Sequence, residues 1–152
     1  MGRSLDYIHE VVPGLNVQLG AAIHSFLRKL APGVAWLRSN WSLSRSPELN
    51  QHPERNLPRL DSTVAHRQVW LRIEHQALVR LPGSDGVLFG IRIAVHPLAD
   101  VMRDAEVCHR LYRALETMPE PMARYKNHAE ARPQLLAILS RGLAPAGSGD
   151  GD

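Results

Sequence analysis

Apolar residues recur along this chain with two different periods. Across residues 69–81 the odd positions are mostly apolar while the even ones carry Arg72, Glu74, Gln76 and Arg80, the period of a half-buried strand. Residues 82–86 are dense in turn formers, and Val87, Phe89, Ile91, Ile93 and Val95 resume the alternation. The two runs predict a long antiparallel hairpin closed by His96-Pro97. Leu15, Leu19, Ala22, Ile23, Phe26 and Leu30 follow the helical period instead, and Ala31-Pro32-Gly33 supplies the stop. A second helix is expected over residues 98–117, with Asp100 or Asp104 as cap, a Glu106/Arg110 pair, and a stripe of Val107, Leu111, Ala114, Leu115 and Met118. A short helix should span residues 131–143. Residues 4–12 read as extended up to Pro13-Gly14, and residues 34–43 as a strand. Residues 44–65 hold hardly any apolar side chain, which predicts a long loop of the lid or mobile kind. Residues 144–152, APAGSGDGD, can bury nothing and are expected to be a disordered tail.

Composition narrows the class. The 152 residues are 44% hydrophobic and 22% charged, so one domain with a core of its own is the expectation. No apolar run is long enough to span a membrane and the N-terminus has no signal-peptide core, which points to a cytoplasmic chain. Eighteen Lys and Arg against fifteen Asp and Glu leave +3, spread without any block of like charge, so neither nucleic acid nor a membrane is an expected partner. Lysine occurs only at Lys29 and Lys126. The many arginines suit carboxylates and phosphates, cofactor propionates among them. Cys108 stands alone, which removes disulfides and thiolate zinc sites and leaves buried filler, or an isolated nucleophile, as its role.

The histidines and the polar strand positions hold the remaining chemistry. His9-Glu10 opens like a metalloprotease helix, but Pro13 takes the place of the second histidine. Pro82 and the following hairpin exclude a nucleophile elbow at Ser84. His24, His52, His66, His109 and His128 fall on polar faces or in loops and are expected to be exposed. His75 falls on an otherwise apolar face, where a hydrogen-bonded core histidine and a ligand are the two readings. A regular register is expected to project Arg72, Glu74 and Arg92 from one sheet face, either as cross-strand ion pairs or around a polar pocket.

Five strings, IHEVVPG (8–14), RSNWSL (38–43), LRIEHQALVRLP (71–82), VLFGIRIAVHPL (87–98) and MARYKN (122–127), together resemble the haem-dependent oxidative N-demethylase alpha-subunit family, in its order and at its spacings. The resemblance implies an α+β fold with a PAS-like antiparallel sheet, a long central hairpin and flanking helices. It also implies haem as cofactor, oxidative removal of a methyl group from a small alkylamine such as dimethylamine with oxygen, and flavin and iron–sulfur reductase subunits as partners. It makes His9 the candidate iron ligand, and Arg38, Asn40, Trp41, Arg72, Glu74, Gln76 and Arg92 candidates for propionate anchoring or pocket polarity. Family hairpins tend to read Glu-Arg-Gln-Thr-Leu and Thr-Ile-Arg-Thr-Tyr, where this chain has Glu74-His75-Gln76-Ala77-Leu78 and Gly90-Ile91-Arg92-Ile93-Ala94. Residues 1–143 are expected to be the C-terminal part of the family domain, with an incomplete sheet whose bare edge favours self-association, and with haem bound weakly or not at all by the isolated chain. The other classes left open are a non-enzymatic haem- or small-ligand-binding module and a cofactor-free structural remnant.

Overall fold

The alternating runs become strands. In the computed structural model, which describes residues 2–143, β1 (Ala35–Ser44), β2 (Trp70–Arg80) and β3 (Val87–Pro97) form an open antiparallel sheet in the order β1-β2-β3. The fold is α+β, and β2 alone is central; β3 lies at an edge. The tail expected over residues 144–152 lies outside the described residues.

The turn fixes the register of the hairpin. Leu81 N–H donates to Gly86 O at 2.9 Å, and at the far end Leu98 N–H donates to Val69 O at 2.8 Å. Gly83 takes the left-handed φ of +70° that the turn requires, and Ser84 Oγ accepts the Gly86 amide at 3.2 Å. Four residues separate 81 from 86, so odd positions of β2 stand opposite even positions of β3. The apolar alternations of the two strands are therefore out of phase, and each sheet face is apolar on one strand and polar or small on the other. Six residues in from the turn pair, Arg92 stands opposite His75, on the face away from Glu74 and Gln76. The expected sharing of one face by Arg92 and Glu74 fails on loop length, which periodicity within a strand does not reveal.

The chain divides into two compact units. The first comprises residues 1–41 and 73–94. It holds α1 (Leu5–His9) and α2 (Leu15–Lys29). The extended reading of residues 4–12 is overturned here: Ser4 Oγ accepts the Tyr7 amide at 3.2 Å and Asp6 sits in the first turn, so a local cap starts a helix and His9 ends it. α2 meets the sheet through Phe26, edge-on to Trp36 with ring centroids 5.3 Å apart, and through Arg80 Nη1, which donates to Leu27 O and Arg28 O at 3.5 Å. Leu30 is the one fully packed aliphatic residue of this unit among those described. Tyr7, Val17, Leu19, Leu37, Leu88, Phe89 and Ile91 are exposed.

The second unit, residues 42–72 and 95–152, carries the core. The expected helix over 98–117 is broken into α3 (Leu98–Val101) and α4 (Ala105–Glu116), because Asp104 Oδ1 caps α4 by accepting the Glu106 and Val107 amides at 3.0 Å each. The Glu106–Arg110 pair forms as expected. Cys108, Leu111, Leu115 and Met118 form the buried stripe, packed on Leu135, Ile138 and Leu139 of α6 (Arg132–Leu143), while Val107 is exposed. α5 (Glu120–Tyr125), opened by Pro119 and Pro121, was not expected. Residues 44–65 contain a single 3₁₀ turn, Pro53–Arg55, yet they are no loose lid: Leu60 and Val64 are buried and Arg45 pairs with Asp61. Asp61 also accepts from the Thr63 hydroxyl and amide. These bonds, with the Arg45 guanidinium, hold its carboxyl below the usual range.

Candidate functional site

At the middle of β2 three rungs cross the sheet of the first unit. Arg38 Nε donates to Gln76 Oε1 at 2.6 Å, and Ser39 Oγ lies 3.5 Å from His75 Nδ1, which aligns β1 with β2. With the hairpin register, the rungs read Leu37–Ala77–Gly90, Arg38–Gln76–Ile91 and Ser39–His75–Arg92. These nine residues line an open concavity of ≈ 620 Å³. Its depth has a simple cause. Ala77 and Gly90 leave a gap on the face where Leu37, His75 and Arg92 stand up, and a Cβ built on Gly90 would meet nothing within 4 Å.

The electrostatics of the concavity favour an anion. Arg92 lines it on the face of His75, Arg38 lines it on the opposite face beside Gln76, and no carboxylate does. The Gln76 amide is held at both ends, since its Nε2 donates to Glu74 Oε2 at 3.0 Å while its Oε1 receives Arg38. Gln76 is therefore buried and oriented; it sets the angle of the Arg38 guanidinium rather than offering a free donor. Glu74 belongs to the same face as Gln76, away from His75.

Of the residues singled out in the sequence, Arg38, Gln76, His75 and Arg92 line this concavity, His75 with Arg92 on one sheet face and Arg38 with Gln76 on the other. His9 is at the end of α1 and Trp41 and Asn40 are further along β1; none of them lines it. Arg72 belongs to the second unit, where it is buried to 8% exposure and donates to Glu48 O at 3.4 Å. His75 is exposed, which overturns its reading as a core histidine: its neighbours across the sheet, Ser39 and Arg92, are polar and exposed as well.

The histidine that is buried is His128, against the expectation of exposure. α5 ends in a Schellman motif: Asn127 has φ of +56°, its amide donates to Arg124 O at 3.0 Å, and the His128 amide donates to Ala123 O at 2.8 Å. The cap turns His128 inward, where its Nε2 accepts the Leu43 amide at 2.9 Å. Burial, with Lys126 adding repulsion, pushes its pKa down to about 4, so the ring is neutral near pH 7. The string MARYKN thus has a structural role. Burial also raises the Cys108 thiol, whose Sγ lies 3.5 Å from Leu139 O; it is filler, not a nucleophile. Among the described residues no cluster of three or more His, Cys, Asp or Glu could hold a bare metal ion, and no helix is long and apolar enough to cross a membrane.

Comparison with known families gives one match that spans both units: the sequence model for "Haem-dependent oxidative N-demethylase, alpha subunit-like" covers residues 1–136.

Proposed function

Because this chain belongs to the haem-dependent oxidative N-demethylase, alpha subunit-like family, we propose that it is a haem-binding subunit whose concavity on β1, β2 and β3 receives the porphyrin edge. The observation that supports this reading is the Ser39–His75–Arg92 rung. A haem iron already has four pyrrole nitrogens and needs one protein ligand, so a single imidazole beside one arginine suits it where a bare ion would need several donors. His75 Nδ1 faces the Ser39 hydroxyl, which leaves Nε2 for a metal, and Arg92, on the same sheet face, offers its guanidinium to a propionate. The volume of ≈ 620 Å³ is in the range of small-molecule sites. His9, in the family's Ile-His segment, is the alternative ligand.

What the haem supplies when bound is oxygen activation at an open coordination position, directed at a methyl group of a small alkylamine such as dimethylamine, with electrons from flavin and iron–sulfur reductase subunits. The chain's own contribution is positional. Ser39 holds the His75 ring so that its second nitrogen is presented, while Gln76 fixes Arg38 on the other face of the sheet. Ala77 and Gly90 provide the clearance for a flat ligand, at positions where the family pattern carries threonine.

A second reading is favoured by one observation. An alkylammonium ion needs a carboxylate, and no carboxylate lines the concavity; a module that binds haem or another anionic ligand without demethylating anything fits these residues equally well. Haem titration followed by Soret absorbance tests both. The concavity replaces the expectation of weak or no haem binding by the isolated chain: wild type should bind stoichiometrically, His75→Ala should lose the ligand-field signature, and His9→Ala should keep it. The opposite result moves the ligand to His9, and no binding by wild type removes the haem reading. Amine-dependent oxygen uptake with a reductase then separates the enzyme from the binding module.

A further inference from the structure

Among the described residues β3 has a neighbour on one side only. Its even residues, from Gly86 to Leu98, exchange hydrogen bonds with β2, so the N–H and C=O groups of Val87, Phe89, Ile91 and Ile93 point to the open edge. Exposure along the strand is symmetric about Gly90: Leu88, Phe89, Ile91 and Arg92 are exposed, with the apolar three at 56%, 46% and 50%.

We infer that the edge of β3 is a homodimer interface, at which a second copy of this chain adds its own β3 antiparallel about a two-fold axis through Gly90. Backbone geometry selects the phase. Only odd residues present outward hydrogen-bonding groups, so an antiparallel copy must join odd to odd, and the apolar alternation that is out of phase with β2 is in phase with itself. With the axis at Gly90, Phe89 pairs with the partner's Ile91, Val87 with the partner's Ile93, and Arg92 with the partner's Leu88. Every exposed residue of the segment meets an exposed one, and the two Arg92 side chains stay off each other. The two Gly90 residues form a non-hydrogen-bonded pair about 4.5 Å apart at Cα, where no side chain obstructs them. Moving the axis to Arg92 would put like charges face to face. Pro97 falls outside the paired segment, so no donor is missing from the new ladder. The partner's Leu88 would stand next to Arg92 at the rim of the concavity, which gives that half-open site an apolar wall from the second copy.

The test uses the full chain. Sedimentation should show a concentration-dependent dimer. Ile91→Pro removes an outward N–H and nothing from the β2 ladder, and should raise the dimer Kd by at least about tenfold, roughly 1.4 kcal/mol or more. Phe89→Lys should do the same and serves if the proline variant unfolds. Gly90→Cys should form a disulfide-linked dimer under mild oxidant, whereas Leu37→Cys, on a more exposed position of the opposite edge strand, should not; buried Cys108 adds no background. A monomer at every concentration overturns the proposal. So does a dimer that Leu37→Lys weakens as much as Phe89→Lys does, or one in which Gly90→Cys crosslinks no faster than Leu37→Cys.

Discussion

His128 Nε2 accepts the Leu43 amide hydrogen across 85 positions of chain, at 2.9 Å and out of contact with water. The bond joins the Schellman cap of α5 to the end of β1 within the second unit, and it requires a neutral ring, because a protonated imidazole has no lone pair to accept with.

This sets a pH dependence with a definite sign. The folded pKa is about 4 and the ordinary value is 6.5, so above pH 6.5 neither folded nor unfolded chain binds the proton and the group contributes no slope. Between pH 6.5 and 4 the unfolded chain alone takes it up, and stability falls by up to about 3 kcal/mol, with about 2 kcal/mol lost by pH 5. Urea titrations at pH 7 and pH 5 should show this loss, and in His128→Ala the same pH step should be smaller by that amount. An unchanged step in the variant would place the acid sensitivity elsewhere.

Asn127 occupies the left-handed position of the cap at φ +56°. Asn127→Ala should cost about 1 kcal/mol, from the strained φ, whereas Asn127→Gly should be neutral or slightly stabilising. Thermal melts of the two variants read the contrast; equal losses would mean that the Asn side chain, not the backbone, matters.

The two units should differ sharply in their response to truncation. Leu115, fully buried between α4 and α6, should lose about 3 kcal/mol as Leu115→Ala, by transfer and cavity terms together. Leu37, at 78% exposure, should lose no more than about 0.5 kcal/mol as Leu37→Ala. A large loss at Leu37 in dilute protein would reveal cover on that face.

Cys108 should resist alkylation in the folded protein, since its thiol is buried and its pKa is raised. Labelling with a soluble maleimide should proceed at the rate of unfolding and rise steeply with urea. Fast labelling in native buffer would contradict the packing of α4 on α6.

The turn at residues 82–86 and the aspartate cap at Asp104 were legible because each acts locally, whereas the left-handed Asn127 emerged only in the fold. Periods of two and of 3.6 were sufficient for β2, β3, α2, α4 and α6, and the stripe on α4 needed only a rotation by one residue, from Val107 to Cys108. The opening helix was missed because five residues hold too little pattern to outweigh a β-compatible composition, while one Ser4 hydrogen bond is enough to start a turn.

Sequence by itself determined which positions of each strand are apolar, where the hairpin turns and which residues end the helices, since these follow from side-chain size, φ preference and hydrogen bonds within a few residues. Tertiary structure decided how those patterns meet. The four residues between Leu81 and Gly86 put the alternation of β3 out of phase with that of β2, so Arg92 came to His75 instead of Glu74, and an apolar edge was left for a partner. The same holds for the histidines: the one on an apolar stripe is exposed beside Ser39, and the one in a polar stretch is buried on Leu43. Burial of a histidine depends on whether a distant amide needs an acceptor, and that distance exists only once the chain has folded.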